Sequence, residues 1–403
     1  MTGSGPGAGS PAYERNSYLE SLETDVVGAG EEEGRPYVVL ADTVLYAEGG
    51  GQPADRGWIG EVEVTEVRRA GRELRHYLAG TPPTGRVVVR VDWPRRFDHM
   101  QQHTAQHLLT AVAQDRFGWP TTAFHLGPDL SDVELDVPSL GPSRIDALED
   151  AAAAEIRAAR AVAVRWVAPD SLAELPGLRT RGLPEGFAGD VRLVEIAGLD
   201  LNTCGGTHLR STAEIEALKL VGVESMRGGT RVHFVAGGRL RRRLGEHEAR
   251  NARLRTLLGA ADDELHEIAG KKLEQLREAE RASRALEGEL AEALAASIAR
   301  GADSPAEVDL PGRGAAFLQR LARAIGGQPT AAVVLLVDSA AEPGPFVLCA
   351  AGGFAGDVAA LFRALAAEVQ LRGGGSGRVF QGKLAAAQRG PALDALRRAL
   401  GAA

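Results

Sequence analysis

Between residues 37 and 91 the chain breaks into short runs in which Val, Ile, Tyr and Thr alternate with charged residues. The runs cover residues 37–40, 43–47, 58–68, 73–78 and 85–91, with Gly, Pro and charged turns between them. A period of two over four to eight residues predicts half-buried strands, and a succession of them predicts a small antiparallel barrel. After Pro94 the period lengthens. Residues 97–117 place Leu108, Leu109 and Val112 at helical spacing, up to a stop at Gly118-Trp119-Pro120. A loop at 121–127 then leads into the alternating Val133, Leu135 and Val137 of a strand. An Ala-rich helix at 144–162, a strand at 191–196 and further segments at 215–223 and 230–235 complete a mixed α/β unit. No proline occurs between Pro184 and Pro305, and leucines recur at helical intervals from Leu244 to Leu294 amid Glu and Arg. With a break between Gly259 and Asp262, that pattern predicts a helical hairpin or coiled-coil spacer. Buried strands at 332–337 and 346–350, an amphipathic helix at 357–369 and a glycine-rich segment at 372–383 predict a last α/β unit. The expected architecture is α+β: a disordered tail at 1–12, a barrel at 13–95, the mixed unit at 96–237, the spacer at 238–300 and a C-terminal α/β domain at 301–403.

Composition narrows the function classes. A chain of 403 residues with 44% hydrophobic content is long enough for two to four domains with real cores. No apolar run reaches the length of a membrane span, and the Gly/Ser/Pro-rich start lacks the basic and apolar regions of a signal peptide. Two cysteines cannot form a disulfide framework and point to the reducing cytoplasm. The formal charge of −8 argues against generic nucleic-acid binding, so any RNA contact must come from local patches. Two such patches exist: Arg239, Arg241 and Arg242 at the start of the spacer, and Arg372, Arg378 and Lys383 around the late glycines. Each is either a solvated face or a contact for phosphate.

The chemistry is concentrated in two short segments. In a helix, His103 and His107 lie one above the other on the same face, so their imidazoles converge. About a hundred residues later Cys204-Gly205-Gly206-Thr207-His208 supplies a thiolate and another imidazole at the same spacing, with glycines for a tight turn. Thiolate and imidazole are the ligands Zn²⁺ prefers, and the four side chains read as one zinc centre. The bland alternatives are core histidines and a closed, purely structural zinc site. The residues between His103 and His107 are Thr, Ala and Gln, and without a Glu as general base a metalloprotease is excluded. Gly49, Gly50, Gly51 and Gln52 form a stretch whose backbone amides can approach a ligand, or a plain hairpin turn.

These motifs, EGGGQ at 48–52, HTAQHLL at 103–109 and CGGTH at 204–208, resemble the signatures of the editing domain of alanyl-tRNA synthetase and of the free-standing AlaX-type alanyl-tRNA editing proteins. The spacer and glycine-rich end resemble the C-terminal region of the same synthetases, as in the long form of AlaX. The likeness covers about residues 35–385. The paired zinc motifs are shared with threonyl-tRNA synthetase editing domains; EGGGQ and the C-terminal domain single out the alanyl branch. Only about 35 residues precede the predicted barrel, too few for an aminoacylation domain, so the expectation is a proofreader without a synthetase. The resemblance implies deacylation in trans of mischarged tRNA for alanine carrying serine or glycine, with His103, His107, Cys204 and His208 as zinc ligands and catalytic centre. One ligand, His103 or His208, is expected to yield when substrate enters. Gly49 to Gln52 would flank the acceptor end, Thr121, Thr122 and His125 would sense the serine hydroxyl, and the two basic patches would touch tRNA or leave the C-terminal part to form a homodimer. Ala47 departs from the family's usual Pro, and Asp98-His99-Met100 departs from the Asp-His-His signature of the phosphoesterases, which speaks against a nuclease. The competing expectations are a tRNA-binding module with structural zinc, a threonyl-type editing factor, and a hydrolase of another ester.

Overall fold

The computed structural model describes residues 10–180, 182–183, 189–301 and 304–401. The chain divides into two compact units, residues 1–252 and 253–403. Up to residue 9 the expected tail lies outside the described residues. Ala12 and Tyr13 are buried and open a short helix, α1 (Ala12–Arg15).

Six strands follow: β1 (Ser21–Glu32), β2 (Arg35–Leu40), β3 (Gly57–Ile59), β4 (Val62–Ala70), β5 (Glu73–Leu78) and β6 (Arg86–Val91). They pair antiparallel in the order β1-β2-β5-β4-β3-β6, and β6 returns to β1 to close the barrel. Its first strand begins at residue 21, where no strand was expected. The covered positions of β1 are Leu22, Thr24, Val26, Gly28, Gly30 and Glu32, a run with too few apolar side chains to show a period of two. Residues 43–47 are the converse error. They are not a strand but a continuously buried stretch, with Val44, Leu45 and Ala47 filling the barrel core. An apolar run buried on all sides carries no periodicity, so periodicity cannot identify it.

Helix α2 (Trp93–Phe117) starts four residues before the predicted position, capped by the Asp92 carboxylate with Pro94 in its first turn. It ends at Gly118 in the left-handed conformation. Leu108, Leu109 and Val112 are buried, and so are Gln101, Gln102, Thr104 and Gln106. The helix runs through the middle of its unit, and two of its buried glutamines, Gln101 and Gln102, bond to backbone. Gln102 donates to the Ala236 carbonyl at 3.0 Å and accepts from the Ala236 amide at 3.1 Å. Around α2 lie β7 (Thr121–Leu126), β8 (Ser131–Leu135), α3 (Pro142–Arg157), β9 (Val162–Val167), β10 (Leu178–Arg179), β11 (Val191–Ile196), β12 (Asp200–Thr203), β13 (Leu218–Met226) and β14 (Gly229–Ala236). They form two four-stranded sheets, β10-β12-β11-β9 and β13-β14-β8-β7. The predicted loop at 121–127 is therefore a strand, and the predicted helix at 144–162 stops early, with Ala159 at a positive φ before β9. The mixed α+β class expected from the sequence is present.

Helix α4 (Gly237–Leu258) crosses the boundary between the units, and α5 (Leu265–Gly301) opens the second one. Only the later part of the leucine repeat packs α5. Leu273, Leu276 and Leu286 are exposed, while Leu290, Leu294 and Ile298 are half-buried beside the buried Ala291, Ala295 and Ala299. Ala291 and Ala295 share a core with Phe317, Leu318 and Leu321, where small side chains let the helices come close. Beyond it are β15 (Ala306–Asp309), α6 (Gly314–Gly326), β16 (Val333–Val337), β17 (Gly344–Ala350), α7 (Val358–Val369), β18 (Gly373–Ser376), β19 (Val379–Leu384) and α8 (Arg389–Gly401), with a sheet ordered β15-β16-β17-β19-β18. The late glycines, read either as a contact for phosphate or as a plain surface segment, form the exposed edge strand β18 and a hairpin turn at Gly377.

Barrel and α2 are locked by one ion pair. Arg96 and Asp55 are fully buried; the Arg96 Nε donates to both Asp55 oxygens at 3.1 and 2.9 Å, and its Nη1 and Nη2 reach the carbonyls of Ser17 (2.9 Å) and Val44 (2.5 Å). Removing one partner of such a pair strands a buried charge, so Asp55→Ala is expected to cost about 3–5 kcal/mol in chemical denaturation. Asp55→Leu combined with Arg96→Met is expected to cost less than Asp55→Ala alone; an equal or larger loss would show that the pair is not the lock.

Candidate metal centre

Helix α2 presents His103 and His107 from one face, 1% and 4% exposed. The second pair arrives by an antiparallel return. Strand β11 turns into β12 with Leu193 opposite Thr203, and Cys204 follows directly, its amide bonded to the Arg192 carbonyl at 3.3 Å. β11 was expected to deliver the cysteine; the intervening strand β12 does so. The four donor atoms of His103, His107, Cys204 and His208 all lie within 4.8 Å of one another. Cys204 Sγ is 3.6 Å from His103 Nε2 and 3.3 Å from His208 Nε2. Gly206 has no alternative at its position: a Cβ there would stand 2.2 Å from His103 Cε1 and 2.9 Å from Gln52 Oε1.

Each imidazole is held by its other nitrogen. His103 Nδ1 meets Gln52 Oε1 at 2.8 Å, His107 Nδ1 meets Asp200 Oδ2 at 2.8 Å, and His208 Nδ1 meets Thr104 Oγ1 at 3.3 Å. With Nδ1 as the donor, each Nε2 keeps its lone pair for a metal. Gln52 does more. Its Oε1 also accepts the Thr207 amide at 3.0 Å and its Nε2 donates to Thr207 Oγ1 at 2.8 Å, so one carboxamide ties the glycine turn, α2 and the cysteine turn together. Gln52, expected to touch substrate, is fully buried and orients a ligand instead. Asp200 is fixed in turn by Arg179 Nη1 at 2.6 Å.

The electrostatics favour a metal-binding state. Burial opposes the Cys204 thiolate, yet the imidazoles of His103 and His208 hold its pKa well below the usual thiol value. Burial and the neighbouring His103 push His208 down to about 3, leaving it neutral. Burial also opposes charge on His107, but the bonds to Asp200 and Cys204 outweigh it and raise its pKa to about 10. The proton on His107 is the one a metal must displace.

A pocket of about 710 Å³ opens beside the cluster. His103, His107 and Cys204 line it and His208 does not. Gly50 and Gly51 form the tip of a two-residue turn closed by bonds between Gly49 and Gln52, and both have positive φ, 55° and 80°. Across from them stands Phe124. Of the three residues expected to sense a hydroxyl, only Thr121 lines the pocket; it donates to Thr110 Oγ1 at 3.2 Å, and Gln106 Nε2 donates to the same oxygen at 2.9 Å. Thr122 bonds to the Glu134 carbonyl, and His125 is exposed and paired with Asp132 at 2.9 Å, so neither faces the cavity. Thr104 and Thr207 were legible within the two motifs, and Asp200 four residues before Cys204; residues such as Phe124 and Arg179 carry no local signal.

The basic candidates separate by burial. Arg239 is 4% exposed, its guanidinium paired with Asp98 at 2.7 Å and bonded to the Gly127 carbonyl, so it anchors α4 rather than facing a phosphate. Arg378 is exposed as a residue, and its Nη1 donates to the carbonyls of Ala351 and Phe354. Arg241, Arg242, Arg372 and Lys383 are exposed, although Arg241 pairs with Glu216 and Arg242 lies 3.5 Å from Asp98.

Residues 191–232 match the family model described as "Threonyl and Alanyl tRNA synthetase second additional domain". The chain is 44% identical over 205 residues to the alanyl-tRNA editing protein Aarsd1-B of Xenopus laevis, covering half of each chain. It is 40% identical over 256 residues to alanyl-tRNA editing protein Aarsd1 of Mus musculus, covering 63% of this chain and 62% of that one. The chain is thus similar to the AlaX-type alanyl-tRNA editing proteins. A longer match, 32% over 393 residues, joins 92% of this chain to 42% of the alanine–tRNA ligase of Pyrobaculum neutrophilum. The match spans about half the length of the Xenopus protein.

Two outcomes follow from this geometry. Gln52→Leu removes the acceptor that orients His103 and is expected to weaken metal affinity about 10–100-fold in chelator competition; a change under about twofold would contradict the role given to Gln52. Calorimetry in buffers of different ionisation enthalpy is expected to show on the order of one proton released per ion, with affinity rising as pH rises toward the His107 pKa. Proton-independent binding would contradict it.

Proposed function

We propose that this protein is a zinc-dependent aminoacyl-tRNA deacylase that removes serine or glycine from mischarged tRNA for alanine, in trans. One observation carries the reading: three imidazoles and one thiolate meet within 4.8 Å, and three of these four groups, His103, His107 and Cys204, line a pocket together with a side-chain-free glycine turn. A tetrahedral zinc with bonds of about 2.3 Å to sulfur and 2.0–2.1 Å to nitrogen sets those donors roughly 3.5 Å apart, and the Cys204 separations of 3.6 and 3.3 Å fit. The names of the Xenopus and mouse relatives point to the same substrate class.

The substrate is an ester between an amino acid and the terminal ribose. Water adds to its carbonyl carbon, the C–O bond to the ribose breaks, and the ribose oxygen takes a proton. Held by His103, His107, Cys204 and His208, zinc would supply Lewis acidity to this step. The chain's own groups position the ester. The tip of the Gly50-Gly51 turn lets an acceptor end approach the backbone, and Gly51 in particular has no room for a side chain, since a Cβ there would lie 2.8 Å from Phe124. Thr121, with Thr110 and Gln106 behind it, offers hydroxyl partners to a serine side chain; a site built to bond a hydroxyl discriminates better than one shaped only by volume. Exposed Arg241, Arg242, Arg372 and Lys383 are the proposed tRNA contacts, and a homodimer through the spacer or C-terminal domain belongs to the same proposal.

A structural zinc is the second reading, because four protein ligands close a tetrahedral site. The deciding assay offers serine, glycine and alanine esters of alanine and threonine tRNAs to the protein. Release of serine or glycine from the alanine tRNA, lost on chelation and restored by zinc while circular dichroism stays constant, is the expected result. Activity that survives complete metal removal, or tRNA binding without turnover, would overturn it. Thr121→Val is expected to slow serine release about tenfold and to leave glycine release within about twofold.

A further inference from the structure

Arg192 is the second residue of β11, against the cysteine turn, and the deacylase reading gives it no task. Its residue is 6% exposed, an uncommon place for a guanidinium. Nη1 donates to the carbonyl of Cys204 at 2.6 Å and to that of Gly206 at 2.9 Å, and Nε donates to the carbonyl of Glu14 at 3.1 Å. The backbone of the same residue accepts the Cys204 amide at 3.3 Å. One residue therefore grips the turn from both ends and ties it to α1. Its Nη2 is buried without a partner, so the guanidinium is held here at a cost that ordinary strand packing would not justify. Burial lowers the arginine's pKa, and the charge that offsets this most is Cys204, ahead of Glu14.

The peptide geometry explains what the grip does. A carbonyl and the next residue's amide point in opposite directions across a peptide bond, so drawing the Cys204 and Gly206 carbonyls toward Arg192 turns the Gly205 and Thr207 amides the other way. The Thr207 amide is indeed turned to Gln52 Oε1, 3.0 Å away, and within the same turn the Gly206 amide lies 3.4 Å from Cys204 Sγ. We propose that Arg192 is a positioning residue that sets the cysteine turn in its ligating shape before any metal binds, and that its fixed charge beside the thiolate reduces the sulfur's donation to the metal. This rests on the metal-site reading given above.

The test uses the full chain loaded with Co²⁺ in place of zinc, and reads metal rather than turnover. Arg192→Lys keeps the charge but cannot bridge two carbonyls and the Glu14 carbonyl together; Arg192→Met removes the charge as well. In the lysine variant, folded by circular dichroism, Co²⁺ affinity by chelator competition is expected to fall about 10–100-fold. The sulfur-to-cobalt absorption band is expected to shift further in the methionine variant than in the lysine variant, or, should the methionine variant not fold, to shift in the lysine variant against wild type. Arg165→Gln, an exposed charge on the neighbouring strand β9, serves as control and is expected to leave both unchanged. Wild-type affinity and an unshifted band in Arg192→Lys would overturn the proposal. Wild type that binds no Co²⁺ or zinc at all would instead overturn the metal reading beneath it.

Discussion

Three imidazoles can share one point only if each ring is prevented from rotating and each proton is kept on the far nitrogen. That constraint organises the first unit of this chain. Gln52, Asp200 and Thr104 occupy the three Nδ1 positions, and they come from the glycine turn, from β12 and from α2 itself. The glycine turn, the β10-β12-β11-β9 sheet and α2 are therefore not independent scaffolds beside a site. Each contributes one fixed partner to the site, and the partners are buried, where a hydrogen bond is strong and an unmade one is costly.

The joints between these parts are polar where a simpler design would use apolar packing. The Asp55–Arg96 pair and the Gln52 carboxamide hold the glycine turn against α2, and Gln101 and Gln102 pair with backbone on the far side of the helix. Directional bonds of this kind specify orientation as well as contact, and a metal centre needs orientation to a few tenths of an ångström. Apolar packing supplies the bulk of the burial around them, with Leu108, Leu109 and Val112 of α2 meeting Val133, Leu135, Val232 and Phe234 of the sheet beside it.

The four ligands were legible because their chemistry is rare and their spacing is helical or tight; His103, His107, Cys204 and His208 needed no tertiary information. Strands such as β6 and β11 were legible from their Val, Leu and Ile content. What escaped was set by tertiary context. β1 hides its period behind glycines, residues 43–47 are buried on every side, and α5 buries Ala291, Ala295 and Ala299 with Leu290 and Leu294 beside them while Leu273, Leu276 and Leu286 stay exposed. Arg239 looked like part of a solvated or RNA-facing cluster, and only the fold reveals Asp98 waiting for it. Thr122 and His125 failed as pocket residues because a segment read as a loop is a strand, and a strand turns part of its side chains away from the cavity.

The claim on which the account stands is that two segments about a hundred residues apart grip one ion. X-ray absorption at the zinc edge of the purified, zinc-saturated protein tests it most directly. The account predicts a single zinc per chain with one sulfur at about 2.3 Å and nitrogen neighbours at about 2.0–2.1 Å. A spectrum without sulfur in the first shell, or a protein that fails to retain stoichiometric zinc, would contradict it.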